Sequence, residues 1–162
     1  MNAIPAGLVF ASLLFAGCGA TLPLARETPA LARIFLESAD ARGTDLALPQ
    51  SGVHLVVNPQ PVLVEGDFTN VELVQVELGK CLMFQLSPAA ARDFYRLSAS
   101  HQGRRLVLVV NGAPVGARRI DGPIADGVVY IFVELTDDVL PRLVDDLKKT
   151  TSTVQRAIAR KS

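Results

Sequence analysis

The 162-residue chain has no tryptophan, and it holds only two histidines, two cysteines and two methionines. The two histidines, His54 and His101, stand alone, with no neighbouring cysteine or carboxylate cluster. That excludes the close ligand spacing of a metal site. Net charge is missing too: Lys plus Arg is 16 and Asp plus Glu is 16. A neutral chain is a poor partner for nucleic acid, which needs clustered cations against phosphate. There is no internal repeat, no low-complexity segment and no G-x-S-x-G serine motif. Gly112, Gly116, Gly122 and Gly127 follow no phosphate-loop pattern and are read as turn-makers. Asp137-Asp138 and Asp145-Asp146 are neighbours that do not face one another on a helix, so they are read as caps or solvated charges, not acid pairs. No cofactor is expected.

What is present is hydrophobicity, at 49% against 20% charged residues, which suits one globular domain with a real core. Charge begins only at Arg26. Before it, Leu8 to Phe15 is apolar but shorter than the roughly 20 residues a bilayer requires. A short apolar run followed by small residues is the pattern of a secretory signal. Here Leu14-Phe15-Ala16-Gly17-Cys18 resembles a bacterial lipobox, in which cleavage precedes the cysteine and its thiol takes the lipid. Residues 1–17 are therefore expected to be a lipoprotein signal peptide, and Cys18 the lipidated residue. Residues 18–31, with two prolines and few patterned apolars, read as a tether. At about 0.8 kcal/mol per buried CH₂, two or three acyl chains, palmitate among them, anchor firmly. The chain is then expected in the bacterial cell envelope, facing the periplasm, with Gly19 after the cysteine leaning towards the outer membrane.

The domain follows over residues 32–147. Arg33 to Ser38 alternates, which leaves strand or helical turn open. Residues 39–52 read as a polar loop, and Val53 to Asn58 as a strand ended by prolines. Val71 to Leu78 alternates, with Val74, Val76 and Leu78 expected on one side, and Leu82, Phe84 and Leu86 continue as a strand. Ser87 and Pro88 start a helix as cap and first residue. Its apolar positions are Ala90, Phe94, Leu97 and His101, and Gly103 stops it. Leu106 to Val110 is apolar on both faces, as in a central strand covered by helices. Asn111-Gly112 marks a hairpin, and Val128 to Leu135 is the last strand. A second helix is expected to cap on Asp137 or Asp138 ahead of Pro141. Residues 148–162 form a basic, weakly helical extension. The sum is an α+β class: a mainly antiparallel sheet with two helices packed on one face.

Pro61-Val62-Leu63, Phe84-Gln85-Leu86, the helix with Phe94, Leu97 and Ser98, and Gly103-Arg104-Arg105-Leu106 form a dispersed pattern. Asn111-Gly112-Ala113-Pro114-Val115, Ile120, Pro123-Ile124, Gly127 and Ile131 continue it. Together they resemble the head subdomain of the large first periplasmic domain of SecD, a subunit of the bacterial Sec translocase. Arg33-Ile34-Phe35-Leu36 resembles that domain's early strand, which tips this segment to strand. The resemblance implies a fold ferredoxin-like in outline. Two positions depart from it: Arg118 stands where the family usually has proline, and Val133 where it usually has glycine. Transmembrane helices beyond the signal are also missing, so no channel subunit or proton-coupled step is implied.

Cys81, beside Met83 in a strand, reads as a buried small hydrophobe with no disulfide partner once Cys18 is lipidated. The functional expectation is a non-enzymatic envelope lipoprotein whose domain binds a polypeptide or envelope partner, linked to protein export. An exposed sheet edge would offer unpaired backbone groups to it. The alternatives are a small periplasmic hydrolase or thiol enzyme using Cys81 or His101, and a purely structural lipoprotein.

Overall fold

A computed structural model of the protein describes residues 29–40 and 42–161. Cys18, the expected signal peptide and most of the tether lie outside the described residues.

The elements run β1 (Ala32–Leu36), β2 (Thr44–Ala47), β3 (His54–Val57), a helical turn (Glu65–Asp67), β4 (Phe68–Val76), β5 (Gly79–Leu86) and α1 (Pro88–Ser100). They continue through β6 (Arg105–Val110), β7 (Ala113–Arg119), β8 (Val128–Val133) and α2 (Leu140–Ala159). Six strands form one sheet in the order β1-β6-β7-β8-β5-β4. Every pairing in it is antiparallel. The fold is α+β, as the periodicities imply. Both helices bury residues in the same core, Phe94 from α1 and Val144 and Leu147 from α2, against Ile34, Phe84, Leu106 and Ile131 of the sheet. Phe68 and Phe84 meet at its centre, with rings 4.8 Å apart.

The local starts and stops follow the side chains. Ser87 Oγ accepts the Ala90 N–H at 3.3 Å and Pro88 opens α1. Asn111 and Gly112 take the positive φ values of 50° and 85° that a tight hairpin turn needs.

Several expectations change. Residues 39–52 are not all loop, because β2 pairs with β3 as a second, two-stranded sheet. This hairpin, not a helix, covers the second face of β6, where Val107 and Val109 pack with Leu48, Leu55 and Val57. Along β4 the alternation holds as expected, with Val74 and Val76 on one side and Gln75 on the other, and the register adds which side meets the helices. Val71 pairs with Phe84 and Leu73 with Leu82, and cross-strand partners share a face, so these two point to the helices. Val74 and Val76 turn to the other side, and Leu78, at the hairpin tip, is 84% exposed. Finally, α2 caps on Val139 with no side-chain bond. Asp137 pairs with Lys80 instead, and the Thr136 hydroxyl holds the Asp138 carboxyl below its ordinary range. The division expected after residue 147 falls inside α2, which continues unbroken to Ala159. Thr151 is buried, and Gln155 Nε2 donates to the carbonyls of Gly66 at 3.1 Å and Phe68 at 2.7 Å.

Candidate functional site

Where the backbone is left unpaired decides where another chain can bind, and the β1 edge of the sheet is engaged. On β1, Ile34 N–H donates to Leu63 and Ile34 C=O accepts from Val62, at 2.9 and 2.8 Å. At the opposite edge α2 packs along β4, and Gln155 caps its first carbonyl. A gap also lies inside the sheet. β7 and β8 pair only at Gly116↔Val133 and Ala117↔Phe132. A further bond, Glu134 N–H to Val115 C=O at 2.8 Å, closes that end. Beyond Ala117 the strands part.

The parting has a local cause at each end. Gly116 lies so close to the Phe132 carbonyl that any Cβ there would collide with it, so the pairing depends on glycine. At the other end the loop 121–127 is drawn towards the helices. Ser98, wholly buried in α1, accepts the Ile124 N–H at 2.9 Å and donates to the Tyr95 carbonyl at 3.0 Å. Gly127, at φ +70°, fits against Ala91.

Between the parted strands is a cleft of about 400 Å³. It runs into a hollow of about 450 Å³ on the sheet face that the β2–β3 hairpin leaves uncovered. Ala117, Cys81, Phe132, Tyr130, Val76 and Leu78 give the hollow an apolar floor. Arg118, Arg119 and Asp121 stand on the wall shared by both. The Arg118 guanidinium lies 5.8 Å from the centre of the Tyr130 ring, a cation–π distance. Its Nη1 makes a long 3.5 Å contact to the Tyr130 carbonyl, on the side of β8 that has no strand partner. The cleft therefore offers apolar surface, two cations and free backbone acceptors.

Of the other residues singled out in the sequence, only Cys81 falls here, as part of the hollow's floor. Cys81 is fully buried, and its Sγ donates to the Val74 carbonyl at 3.6 Å. Burial pushes its pKa up, and the charge of Arg118 draws it back only in part. His54 pairs with Asp45 at 2.9 Å on the exposed β2–β3 hairpin. His101 Nδ1 meets the Leu97 carbonyl at 2.8 Å and the Ser100 hydroxyl at 3.0 Å at the end of α1. No cluster of three potential metal ligands occurs among the described residues. No described helix is long and apolar enough to cross a membrane.

Arg118, Arg119, Tyr130 and Phe132 were not singled out as site residues, because nothing in their spacing marks them. One signal was there: Arg118 and Val133, the two departures from the SecD pattern, both sit where β7 and β8 pair or part.

No protein-family model matches the chain, and no curated protein matches it significantly. Solved structures do. A structure of SecDF, described as a membrane component that enhances protein export, superposes at a TM-score of 0.58 with 18% identity. It covers 74% of this chain and 62% of that one. SecDF in its super-membrane-facing form gives the same score and identity over 18% of its length. The translocon-associated SecDF of Thermus thermophilus gives 0.51 at 16% identity, over 76% of this chain and 20% of its own. The chain thus spans less than two thirds of the SecDF chains it matches. At these identities the likeness is one of fold, and the fold is SecD-like.

Proposed function

We propose that this protein is a non-enzymatic module of the bacterial cell envelope, held to the membrane by lipid on Cys18, that binds a polypeptide or an envelope partner in the service of protein export. One observation carries the reading: the unpaired backbone of β8 borders a cleft that opens onto an apolar hollow. An extended chain can satisfy such backbone groups while its alternate side chains fill the hollow. The SecD-like fold supports the link to export, since the matched SecDF is described as enhancing it. The lipobox-like start supports the anchor.

Two experiments test this. A photo-crosslinking residue placed at Tyr130 or Phe132 in cells should capture a second protein, while one at Arg142, exposed on α2 and outside the cleft lining, should not. Recovery of the protein alone from both cleft positions would overturn the binding reading. Palmitate labelling should be lost in Cys18→Ala, with the protein leaving the membrane fraction. Labelling that persists would sink the anchor.

A further inference from the structure

The cleft joins an apolar floor to a cationic wall, and the two are arranged in a fixed order. Arg33, Arg42, Arg96, Arg105 and Arg142 each have a carboxylate within 4.0 Å. Arg118 and Arg119, like Arg92, Arg104, Arg156 and Arg160, have none among the described residues, and they alone of these line the cleft. Arg119 is exposed and Arg118 half-buried. Arg118 spends its guanidinium on the Tyr130 ring and on one long contact to the Tyr130 carbonyl. That leaves most of a planar five-donor fork unsatisfied by protein, in a geometry suited to a carboxylate. Two carboxylates also line the cleft. Asp126 is already engaged, accepting the Val128 N–H at 3.1 Å on the loop, and Asp121 lines both the cleft and the hollow beside the arginines. Where cleft and hollow meet, two guanidinium groups stand against one carboxylate, so the shared wall is net cationic and suits a negative group.

Resting on the polypeptide-binding reading above, we infer that the cleft selects an extended segment with an acidic side chain next to an apolar one. The carboxylate goes to Arg118 and Arg119, the apolar group lies over Tyr130 and Phe132, and the backbone pairs with the free side of β8. In the unliganded protein Arg118 holds the place of that segment, covering one β8 carbonyl with its own N–H. On binding it turns from the Tyr130 carbonyl to the incoming carboxylate, and the peptide N–H takes over the carbonyl. A second copy of the chain is the less fitting occupant, because the carboxylates nearest its own cleft, Asp121 and Asp126, lie on a loop pinned to α1 through Ser98.

The test uses the full chain with Cys18→Ser, and three labelled octapeptides that alternate valine with glutamate, glutamine or lysine. Fluorescence anisotropy should show the glutamate peptide binding about five- to tenfold more tightly than the glutamine peptide, in line with one or two partly exposed charge pairs. The lysine peptide should bind most weakly, and added salt should erode the order. Arg119→Gln alone, at an exposed position, should reduce the preference, and Arg118→Gln with Arg119→Gln should abolish it without changing the thermal midpoint appreciably. Equal binding of glutamate and glutamine peptides, with crosslinking from Tyr130 retained, would overturn the charge preference and leave the polypeptide reading standing. Absence of any peptide crosslink at Tyr130 would overturn both. A Tyr130-to-Tyr130 crosslink with a dimer in light scattering would assign the cleft to a second copy and overturn this selection too.

Discussion

Gly116 and Glu134 show how single side chains hold the halves of the sheet together. Gly116 admits the Phe132 carbonyl where any side chain would collide. Gly116→Ala should therefore destabilise the protein by about 1–3 kcal/mol through overpacking against backbone that cannot retreat, measurable by urea denaturation. Glu134, just past β8, accepts the N–H groups of Gln50 and Ser51 at 3.0 and 2.9 Å and the Ser51 hydroxyl at 2.7 Å, tying down the loop between β2 and β3. Burial alone raises the Glu134 carboxyl, but the Ser51 and Gln50 donors outweigh it and hold it below the ordinary glutamate range. A folded-state pKa below the unfolded value stabilises above the unfolded pKa, and that contribution is lost as pH falls through the folded one. Stability should thus drop as pH goes below about 4, where free glutamate takes up its proton. In Glu134→Gln the drop should be shallower, as thermal midpoints from pH 3 to 7 would show. A parallel decline in both proteins would remove Glu134 from the account.

Among the elements, α1 does two things through one face. Phe94 and Ala90 pack into the core, and Ser98 pins the loop that keeps β7 and β8 apart. Ser98→Ala leaves the Ile124 N–H without its partner in a half-buried place, at about 1–3 kcal/mol. The more telling readout is hydrogen exchange. The amides of residues 121–128 should lose protection while those of β6 do not. If the two regions change together, the serine only stabilises the fold globally. The β2–β3 hairpin was the element least legible in the sequence. Thr44–Ala47 reads Thr-Asp-Leu-Ala between polar neighbours, and only Leu46 of it packs inward, beside Leu48 and Leu55. A strand with so little buried surface has no period to read. By contrast β6, five consecutive apolar residues, announced a strand buried on both faces. It could not announce that its second cover is a hairpin, because an apolar face carries no mark of what packs on it.

For the whole molecule, the sheet is closed by cover more than by further strands, and α2 supplies much of that cover. Its basic second half looks like an appendage in the sequence, where Thr150-Thr151-Ser152-Thr153 weakens the helical pattern. In the fold, Thr151 is buried beside β4 and Gln155 caps two carbonyls. Removal of residues 148–162 should therefore lower the thermal midpoint by several degrees or more and raise exchange along β4. An unchanged midpoint would show the segment to be a true extension. The resemblance to SecD was legible in the same manner as β6, from glycines, prolines and apolars whose spacing the backbone demands. The cleft was not, because Arg118, Tyr130 and Phe132 come from two strands and meet only where those strands separate.

Sequence by itself determined the elements with a strong period or an obligatory turn: β5, α1, β6, the Asn111-Gly112 hairpin and the α+β class they compose. Each rests on contacts within a few residues or on the simple need to bury an apolar face. Only tertiary structure decided the phase of β4, the cover over β6, the continuity of α2 and the split between β7 and β8. Each of these depends on which residue lies across from which. Cross-strand register is set by the whole set of partners together, and no single segment of the chain contains it.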